Sequence, residues 1–271
     1  MKIAMLQMPV GFDKEENIRK AASAVRWAAE QGADMAILPE MWNCPYSNKY
    51  FPDYAEEGIG PTRQALIDMA KENRLWLVGG SIPEREDGKV YNTSFVYDPE
   101  GGEVARHRKV HLFDIDVKGG QRFFESETFT PGDRITTFET PWGKMGLCIC
   151  FDMRFPELAR VMALEGAQAV LVPAAFNMTT GPAHWETMFR QRAVDNQIFT
   201  VGVSPARDEQ GVYVAYGNSI AVDPWGTVVE RMDGSEGYRG VELDMARIAD
   251  IRAQLPLMSA RRTDLYKVER R

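Results

Sequence analysis

The sequence of 271 residues has few cysteines and histidines, three of each, and it has no long apolar run. Cys44, Cys148 and Cys150 form an odd set without zinc-type spacing, which argues against a disulfide framework or a structural metal. No apolar run is long enough to cross a bilayer, and the first residues lack a cationic and apolar secretory signal. We therefore expect no metal, no membrane partner and a cytoplasmic location with reduced thiols.

Excess positive charge is also absent, since the formal net charge is −7. Binding to a nucleic-acid backbone needs a basic stripe, so we expect no nucleic-acid partner. With 44% hydrophobic residues the chain can bury a large core. No Pro/Ser-rich linker, low-complexity tract or short repeat divides it, which predicts a single domain over 1–271.

What the sequence does contain is a regular succession of apolar strands and amphipathic helices. The predicted strands span 2–8, 35–40, 75–82, 90–97, 103–109, 134–139, 144–150, 168–173, 198–204, 218–223, 227–232 and 238–243. The predicted helices span 14–31, 61–73, 156–165 and 182–197. Two βαβ units, joined by hairpins at DPEGG, ETPWGK and DPWGT, indicate an α/β fold of two mixed sheets packed face to face with outer helices.

Cys150 stands where the apolar strand GKMGLCIC stops and a turn and helix begin. Pro156 suits the first position of that helix, and Glu157 complements its positive end. A cysteine just before a helix N-terminus is expected to point toward solvent and to have a lowered pKa. The alternative is a small buried hydrophobic residue, which is the commoner fate of an isolated cysteine on an apolar strand.

Two further strands deliver charged residues at their ends. MAILPEMWNCPYS ends its strand at Glu40, and EVARHRKVHLFDID ends its strand at Lys109. Each residue alone is weak evidence for a functional site, because strand ends commonly carry solvated charges. A Glu, a Lys and a Cys at the carboxyl ends of strands are nevertheless what an α/β sheet presents at its ligand-binding edge.

This set, in this order and with these flanking residues, resembles the nitrilase superfamily of carbon–nitrogen hydrolases over essentially the whole chain. The resemblance implies a four-layer αββα sandwich and a Glu40, Lys109 and Cys150 triad that works without metal or organic cofactor. It also implies a second catalytic carboxylate, which matches Glu125 in FFESETFTPGD. Without the family pattern, Glu125 would be interpreted as a solvent-exposed loop carboxylate.

Amide hydrolysis needs a nucleophile, a base that returns its proton to the leaving nitrogen, and a cation for the oxyanion. In this interpretation Glu40 takes the Cys150 proton, and the thiolate attacks the amide carbon. Lys109 and the backbone N–H of Phe151 hold the oxyanion. Ammonia leaves, and Glu40 then activates a water that hydrolyses the thioester.

The finer resemblance is to the ω-amidase branch, carried by CPYSNKYFPDYAEE, AAFNMTTGPAHWE and SPARDEQGVYVAYGNS. It implies a small-molecule substrate, the terminal amide of 2-oxoglutaramate or 2-oxosuccinamate. We predict substrate contacts at Tyr46 in the Glu40 loop, at Phe151, and at Phe176 and Thr179 in AAFNMTTG. A neighbouring branch, the deaminated glutathione amidases, shares GPAHWE and DPWGTVV and remains an alternative, as does an N-carbamoyl amide hydrolase. An amine-accepting acyl transferase or a non-catalytic binding protein on the same fold is more remote.

Several other residues are predicted to be structural. Arg154 either binds a substrate carboxylate or, as we favour, forms an internal ion pair. Cys148 is predicted to be core and Cys44 a bystander, while His107 and His111 are expected to brace the Lys109 strand. The tail from about 256 to 271 has scattered apolar residues in a charged segment, which predicts docking on a partner subunit in a homodimer or larger homo-oligomer.

Overall fold

Two β-sheets form the centre of the protein in a computed structural model that describes residues 1–271. The strands are β1 (Lys2–Gln7), β2 (Met35–Ile37), β3 (Glu56–Glu57), β4 (Trp76–Val78), β5 (Ile82–Glu86), β6 (Lys89–Tyr97), β7 (Glu103–Arg108), β8 (Asp114–Asp116), β9 (Arg122–Phe124), β10 (Thr136–Thr140), β11 (Gly143–Leu147), β12 (Ala169–Pro173), β13 (Phe199–Val203), β14 (Ile220–Val222), β15 (Val228–Arg231) and β16 (Gly237–Glu242). The helices are α1 (Lys14–Glu30), α2 (Phe51–Tyr54), α3 (Pro61–Asn73), α4 (Pro156–Leu164), α5 (Gly181–Asn196) and α6 (Ala246–Gln254), and 3-10 turns occupy Glu125–Glu127 and Cys150–Arg154.

Both sheets are mixed. The first has the order β16-β1-β2-β4-β6-β5-β3, and β7 pairs additionally with β6. Its parallel centre is β1, β2 and β4, flanked by antiparallel partners. The second has the order β10-β11-β12-β13-β14-β15 with β11, β12 and β13 parallel, and β8 and β9 form a separate hairpin. Each βαβ unit predicted from sequence supplies two adjacent parallel strands.

The alternation of side chains along the strands creates the layers. Ile3 and Met5 of β1 face the second sheet, whereas Ala4 and Leu6 face α1 and α3. On the other side, α4 and α5 pack on the second sheet through residues such as Trp185. The four-layer αββα sandwich is therefore confirmed, because each sheet buries one face on the other sheet and the other face under helices.

The predicted helices and most predicted strands lie within a few residues of their observed positions. The predicted strand 75–82 is divided, because Gly79 and Gly80 turn the chain between β4 and β5. Gly80 has a φ of +62° and passes so close to the Glu40 loop that a Cβ there would lie 2.2 Å from the Pro39 carbonyl oxygen. The sequence did not predict β3, β8, β9, α2 or α6, since these elements are short or mostly exposed and show no clear apolar period.

The C-terminal segment after α6 lies beside α4. Arg270 pairs with Glu165 at 2.6 Å, and Arg160 donates to the Met258 sulfur. Leu265 and Tyr266 remain 70% and 52% exposed, so half or more of their surface is available for another contact. No helix of the protein combines the length and the apolar sequence needed to cross a bilayer.

Candidate active site

Glu40, Lys109, Glu125 and Cys150 meet in one cluster, and all four side chains are buried. Lys109 Nζ donates to Glu40 Oε1 and to Glu125 Oε1, at 2.9 Å in each case. Cys150 lies close enough to Glu40 and Lys109 for both charges to act on its thiol. The structure thus brings together the predicted nucleophile, base, cation and second carboxylate.

The backbone reaches this cluster from several directions. Lys109 directly follows β7, and its N–H donates to the Asn92 carbonyl at 2.9 Å. Glu125 begins a 3-10 turn after β9, where the Phe113 N–H donates to Glu125 Oε2 at 2.7 Å. Glu40 and Cys150 each follow a parallel strand, one in each sheet. The site therefore depends on the packing of the two sheets against each other.

Cys150 occupies a sharp turn with a φ of 46°, which few non-glycine residues adopt. Such a backbone costs about 1–3 kcal/mol and persists where its surroundings hold it. The predicted solvent exposure of the thiol is wrong, because Cys150 is 4% exposed. The predicted lowering of its pKa is also wrong. Burial raises the pKa of the Cys150 thiol, the Glu40 carboxylate raises it further, and a 3-10 turn separates the thiol from the start of α4.

The two carboxylate oxygens of Glu40 have different surroundings. Oε1 accepts from Lys109 Nζ at 2.9 Å, from Asn92 Nδ2 at 2.9 Å and from Tyr46 Oη at 3.4 Å. Oε2 is buried and has no hydrogen-bond partner. Burial raises the pKa of Glu40, and the charge of Lys109 opposes this rise. A carboxylate with one free oxygen beside a thiol of raised pKa is equipped to take the thiol proton.

Lys109 is held as a cation. Burial alone would lower its pKa, but the Glu125 and Glu40 carboxylates outweigh that effect and raise the pKa above its usual range. Nζ donates to Glu40 Oε1 and Glu125 Oε1 and also lies 2.9 Å from Glu125 Oε2, so both carboxylates hold the ammonium group in place.

A cavity of about 150 Å³ lies beside the cluster and is lined by Glu40, Tyr46, Ala175 and Tyr213 among others. Tyr46 Oη donates to Glu125 Oε1 at 2.5 Å, so this predicted substrate contact also braces the second carboxylate. Tyr213 stacks on Tyr46 with ring centroids 4.5 Å apart and donates to the Ala175 carbonyl. Tyr213 could not be singled out from the sequence, because it lies in a loop without any periodic pattern.

None of the other predicted substrate contacts lines this cavity. The Phe176 ring is buried against Trp185, with ring centroids 5.0 Å apart. Phe151 packs edge-on against Phe113, with ring centroids 5.3 Å apart. Thr179 is exposed beside the tip of the β8–β9 hairpin and does not line the cavity.

Arg154 forms no ion pair, so the internal ion pair we favoured is wrong. Its guanidinium lies 4.8 Å from the centroid of the Phe176 ring and 3.1 Å from His184 Nδ1, and its Nε is buried without a partner. Burial lowers the pKa of Arg154, while Cys150 and Tyr213 are close enough to interact with its charge. A largely buried cation without a protein carboxylate can bind an anionic group of a ligand.

Asp152 is a buried residue beside the cluster that the sequence did not single out. Its buried carboxylate accepts from His107 Nε2 at 2.9 Å, from His111 Nδ1 and N–H at 2.8 Å each, and from the Ile149 N–H at 3.1 Å. It therefore ties the two histidines around Lys109 to the turn that carries Cys150, which is the bracing role expected of His107 and His111. The spacing CFDMR could have suggested it, since Asp152 follows Cys150 by two residues.

Replacing Asp152 by Asn is expected to lower the free energy of unfolding by roughly 3–5 kcal/mol near neutral pH, because an amide cannot accept all four donors. Burial alone would raise the pKa of Asp152, but hydrogen bonds from His107 and His111 outweigh it and lower the pKa. A carboxylate with a lowered pKa stabilises the fold above about pH 4, and this stabilisation is lost as pH falls further.

Urea unfolding of wild type and Asp152→Asn between about pH 7 and about pH 3 measures this difference. The difference in the free energy of unfolding between the two proteins should become smaller as the pH falls. Asp133→Asn is the matched control, since the Asp133 side chain is 83% exposed and should show almost no gap at any pH. A gap for Asp152→Asn that stays constant down to about pH 3 would contradict this assignment.

The remaining cysteines are buried and unpaired, and burial raises the pKa of both Cys44 and Cys148. Cys148 belongs to the core between the second sheet and α4 and α5, as predicted. Cys44 lines the cavity, and the charged group that acts on its thiol is Lys14. No group of three histidine, cysteine or acidic side chains is arranged to hold a metal ion.

Comparison with known proteins agrees with this geometry. The Carbon-nitrogen hydrolase family model matches residues 2–253. Over 268 residues the chain is 50% identical to "Omega-amidase NIT2" of Mus musculus, covering 99% of this chain and 97% of that protein. The human Omega-amidase NIT2 is 48% identical over the same length.

Solved structures have the same fold. Nit3 of Saccharomyces cerevisiae, described as a member of branch 10 of the nitrilase superfamily, superposes with a TM-score of 0.89 at 41% identity and covers 97% of this chain and 96% of that one. A mutant of an amidase from Nesterenkonia sp. AN1 has a TM-score of 0.76 at 26% identity and covers 94% of this chain and 98% of that one. That structure shows acrylamide added to the active-site cysteine.

Proposed function

Because this chain belongs to the carbon–nitrogen hydrolase family of the nitrilase superfamily, we propose that it hydrolyses the terminal amide of a short 2-oxo dicarboxylic acid, such as 2-oxoglutaramate or 2-oxosuccinamate. The general activity is that of an amidase with a cysteine nucleophile. The choice of substrate is supported by the full-length similarity to proteins named omega-amidase. The observation that carries it is Arg154, a largely buried cation without a carboxylate partner near Cys150.

We assign the first chemical step to Glu40 and Cys150. Glu40 takes the thiol proton as sulfur forms a bond to the amide carbon, and the free Oε2 is the oxygen available for this proton. The carbonyl oxygen becomes an oxyanion. Because the Cys150 thiol has a raised pKa, it is protonated at rest and reacts only when a base is beside it.

Lys109 stabilises the oxyanion in this mechanism. Its charge acts in a buried site, where an electrostatic interaction is stronger than in water. The backbone N–H of Phe151, next to the nucleophile, is the second donor that we assign. Glu125 holds Lys109 in place, and Tyr46 holds Glu125 through the 2.5 Å hydrogen bond.

The second half of the cycle reverses the proton transfers. Glu40 gives its proton to the leaving nitrogen, the carbon–nitrogen bond breaks, and ammonia leaves a thioester on Cys150. A water then loses its proton to Glu40 and attacks the thioester carbon. The carbon–sulfur bond breaks, the carboxylate product leaves, and the thiol regains its proton.

Arg154→Met tests the proposed recognition of charge. We expect kcat/KM for 2-oxosuccinamate to fall by about 10- to 100-fold, because a charge-assisted hydrogen bond contributes about 1.5–3 kcal/mol. A neutral short amide serves as the internal control, and its kcat/KM should change little. Equal losses for charged and neutral amides would show that Arg154 does not read the substrate carboxylate.

A rate comparison tests the substrate class as a whole. Under one set of conditions, kcat/KM is measured for 2-oxoglutaramate, 2-oxosuccinamate, succinamate, deaminated glutathione and N-carbamoylputrescine. We expect the two 2-oxo amides to be the best substrates. A preference of more than about tenfold for deaminated glutathione would support that branch instead. A preference for N-carbamoylputrescine would reject both branches and leave the proposed triad standing.

We also propose that the chain forms a homodimer or larger homo-oligomer in the cytoplasm through α4, α5 and the tail. Leu265 and Tyr266 are exposed there, and the three cysteines are unpaired. Light scattering at micromolar concentration should give at least twice the chain mass of 30.6 kDa. Deleting the last dozen or so residues should weaken the assembly. A monomer that the deletion leaves unchanged would reject this assignment.

A further inference from the structure

Asn92 is a buried residue next to the catalytic cluster, and nothing in the mechanism above uses it. It lies on β6 and is 1% exposed. Its side-chain Nδ2 donates to Glu40 Oε1 at 2.9 Å, and its carbonyl accepts from the Lys109 N–H at 2.9 Å. One residue of β6 therefore contacts both the proposed base and the backbone of the proposed oxyanion cation.

The asymmetry of the Glu40 carboxylate depends on this contact. The last torsion of a glutamate side chain is broad and nearly two-fold, so its two oxygens exchange places easily. Lys109 does not determine which oxygen faces it, because an ammonium binds either one equally well. Asn92 adds a second donor of fixed direction on the same oxygen, which leaves Oε2 as the oxygen without a partner.

The Asn92 side chain is itself only half satisfied, since its Oδ1 is buried without a hydrogen-bond partner. A buried polar atom without a partner is unfavourable, and an asparagine that served only the sheet would gain nothing from it. The orientation of the amide follows from its neighbour, because only the NH₂ group can face a carboxylate. What the side chain provides is a donor to Glu40.

We propose that Asn92 is a positioning residue that holds Glu40 so that Oε2, and not Oε1, takes the Cys150 proton. This inference rests on the proposed roles of Glu40 and Cys150. It does not depend on which amide is the substrate. Asn92 touches neither the thiol nor the substrate in this account and acts through Glu40 alone.

The hydrogen bond from Asn92 should also affect the pH dependence of the reaction. The charged or titratable groups that face Glu40 are Lys109, Glu125, Cys150, Tyr46 and Tyr213, and all of them remain when Asn92 is replaced. A neutral donor that binds the ionised form of a carboxylate lowers its pKa. Without that donor the pKa of Glu40 should rise. As the pH falls, Glu40 should then become protonated at a higher pH than in wild type, and reactions that need ionised Glu40 should stop there.

The test compares wild type, Asn92→Leu, Asn92→Ala and Ser94→Ala. Leu has the same branching and the same number of side-chain heavy atoms as Asn and lacks the donor, whereas Ala reports the loss of the whole side chain. Ser94 is the matched control, because it is buried two residues further along β6 and its Oγ has no partner. Each variant is measured by kcat and KM, and by the rate at which iodoacetamide alkylates Cys150 across a pH series.

We expect both Asn92 variants to lose about 10- to 100-fold in kcat with little change in KM. Alkylation of Cys150 should be slower in these variants. The pH at which the alkylation rate falls on the acidic side should be higher by about one pH unit than in wild type. Ser94→Ala should match wild type. Folded Asn92 variants with wild-type rates, or with lower kcat but an unmoved acidic limb, would overturn the proposal. A wild-type Cys150 that iodoacetamide does not alkylate in preference to Cys44 and Cys148 would overturn the proposed function first.

Discussion

Cys150→Ala is expected to lower amidase turnover by about 10⁴-fold or more while leaving the fold intact. The reason is that every catalytic cycle in our mechanism passes through a bond to the Cys150 sulfur, and removing a nucleophile leaves only residual catalysis by the rest of the site. The smaller side chain adds no volume at the strained turn. Steady-state kinetics with 2-oxosuccinamate, together with circular dichroism, measures both effects.

The other two cysteines are the matched controls for this variant. Cys148→Ala and Cys44→Ala each remove one buried, unpaired thiol that the proposed mechanism does not use. Both should keep most of the activity. A dead Cys148→Ala enzyme with normal circular dichroism, next to an active Cys150→Ala enzyme, would show that the nucleophile is assigned wrongly.

Lys109→Ala is expected to lower turnover by about 10³-fold or more. The variant loses the oxyanion cation, and removal of even one oxyanion donor costs about 10²- to 10³-fold. It also leaves Glu40 and Glu125 as two buried carboxylates without their shared partner. Lys144→Ala is the control, since Lys144 pairs with Glu139 at the protein surface and should be dispensable.

Glu40→Gln tests the transfer of the Cys150 proton in the same way. The amide has the shape of the carboxylate but cannot accept the Cys150 proton, so turnover should fall by several orders of magnitude with little change in stability. Glu125→Gln should also be severely impaired, because it weakens the hold on Lys109. A near-wild-type rate for Glu40→Gln would remove Glu40 from the base role.

The sequence allowed the layers of the fold and the cluster of charged residues to be predicted for clear physical reasons. Two βαβ patterns require parallel strands, and parallel strands place Glu40 and Cys150 at equivalent ends of their sheets. The apolar face of α1 and the hairpin turns could be read from local periodicity. The role of Glu125 came only from the family resemblance, since a loop carboxylate has no local pattern.

What could not be predicted depends on contacts between segments far apart in sequence. The burial of Cys150 results from the packing of both sheets. This burial raises the pKa of the thiol, whereas a helix N-terminus was expected to lower it. The contacts of Asp152 with His107 and His111 join residues more than 40 positions apart. Arg154 was expected to find a carboxylate within the protein, but none lies within reach in the folded chain. Tertiary contacts of this kind leave no trace in local spacing.

Mass spectrometry of the enzyme quenched in acid during turnover of 2-oxosuccinamate shows most directly whether Cys150 carries the acyl group. We expect a mass increase equal to the substrate minus ammonia, carried by the peptide that contains Cys150 and sensitive to hydroxylamine, as a thioester is. Cys150→Ala should show neither the adduct nor turnover. An adduct on the peptide of Cys44 or Cys148, or undiminished turnover by Cys150→Ala, would show that Cys150 is not the nucleophile.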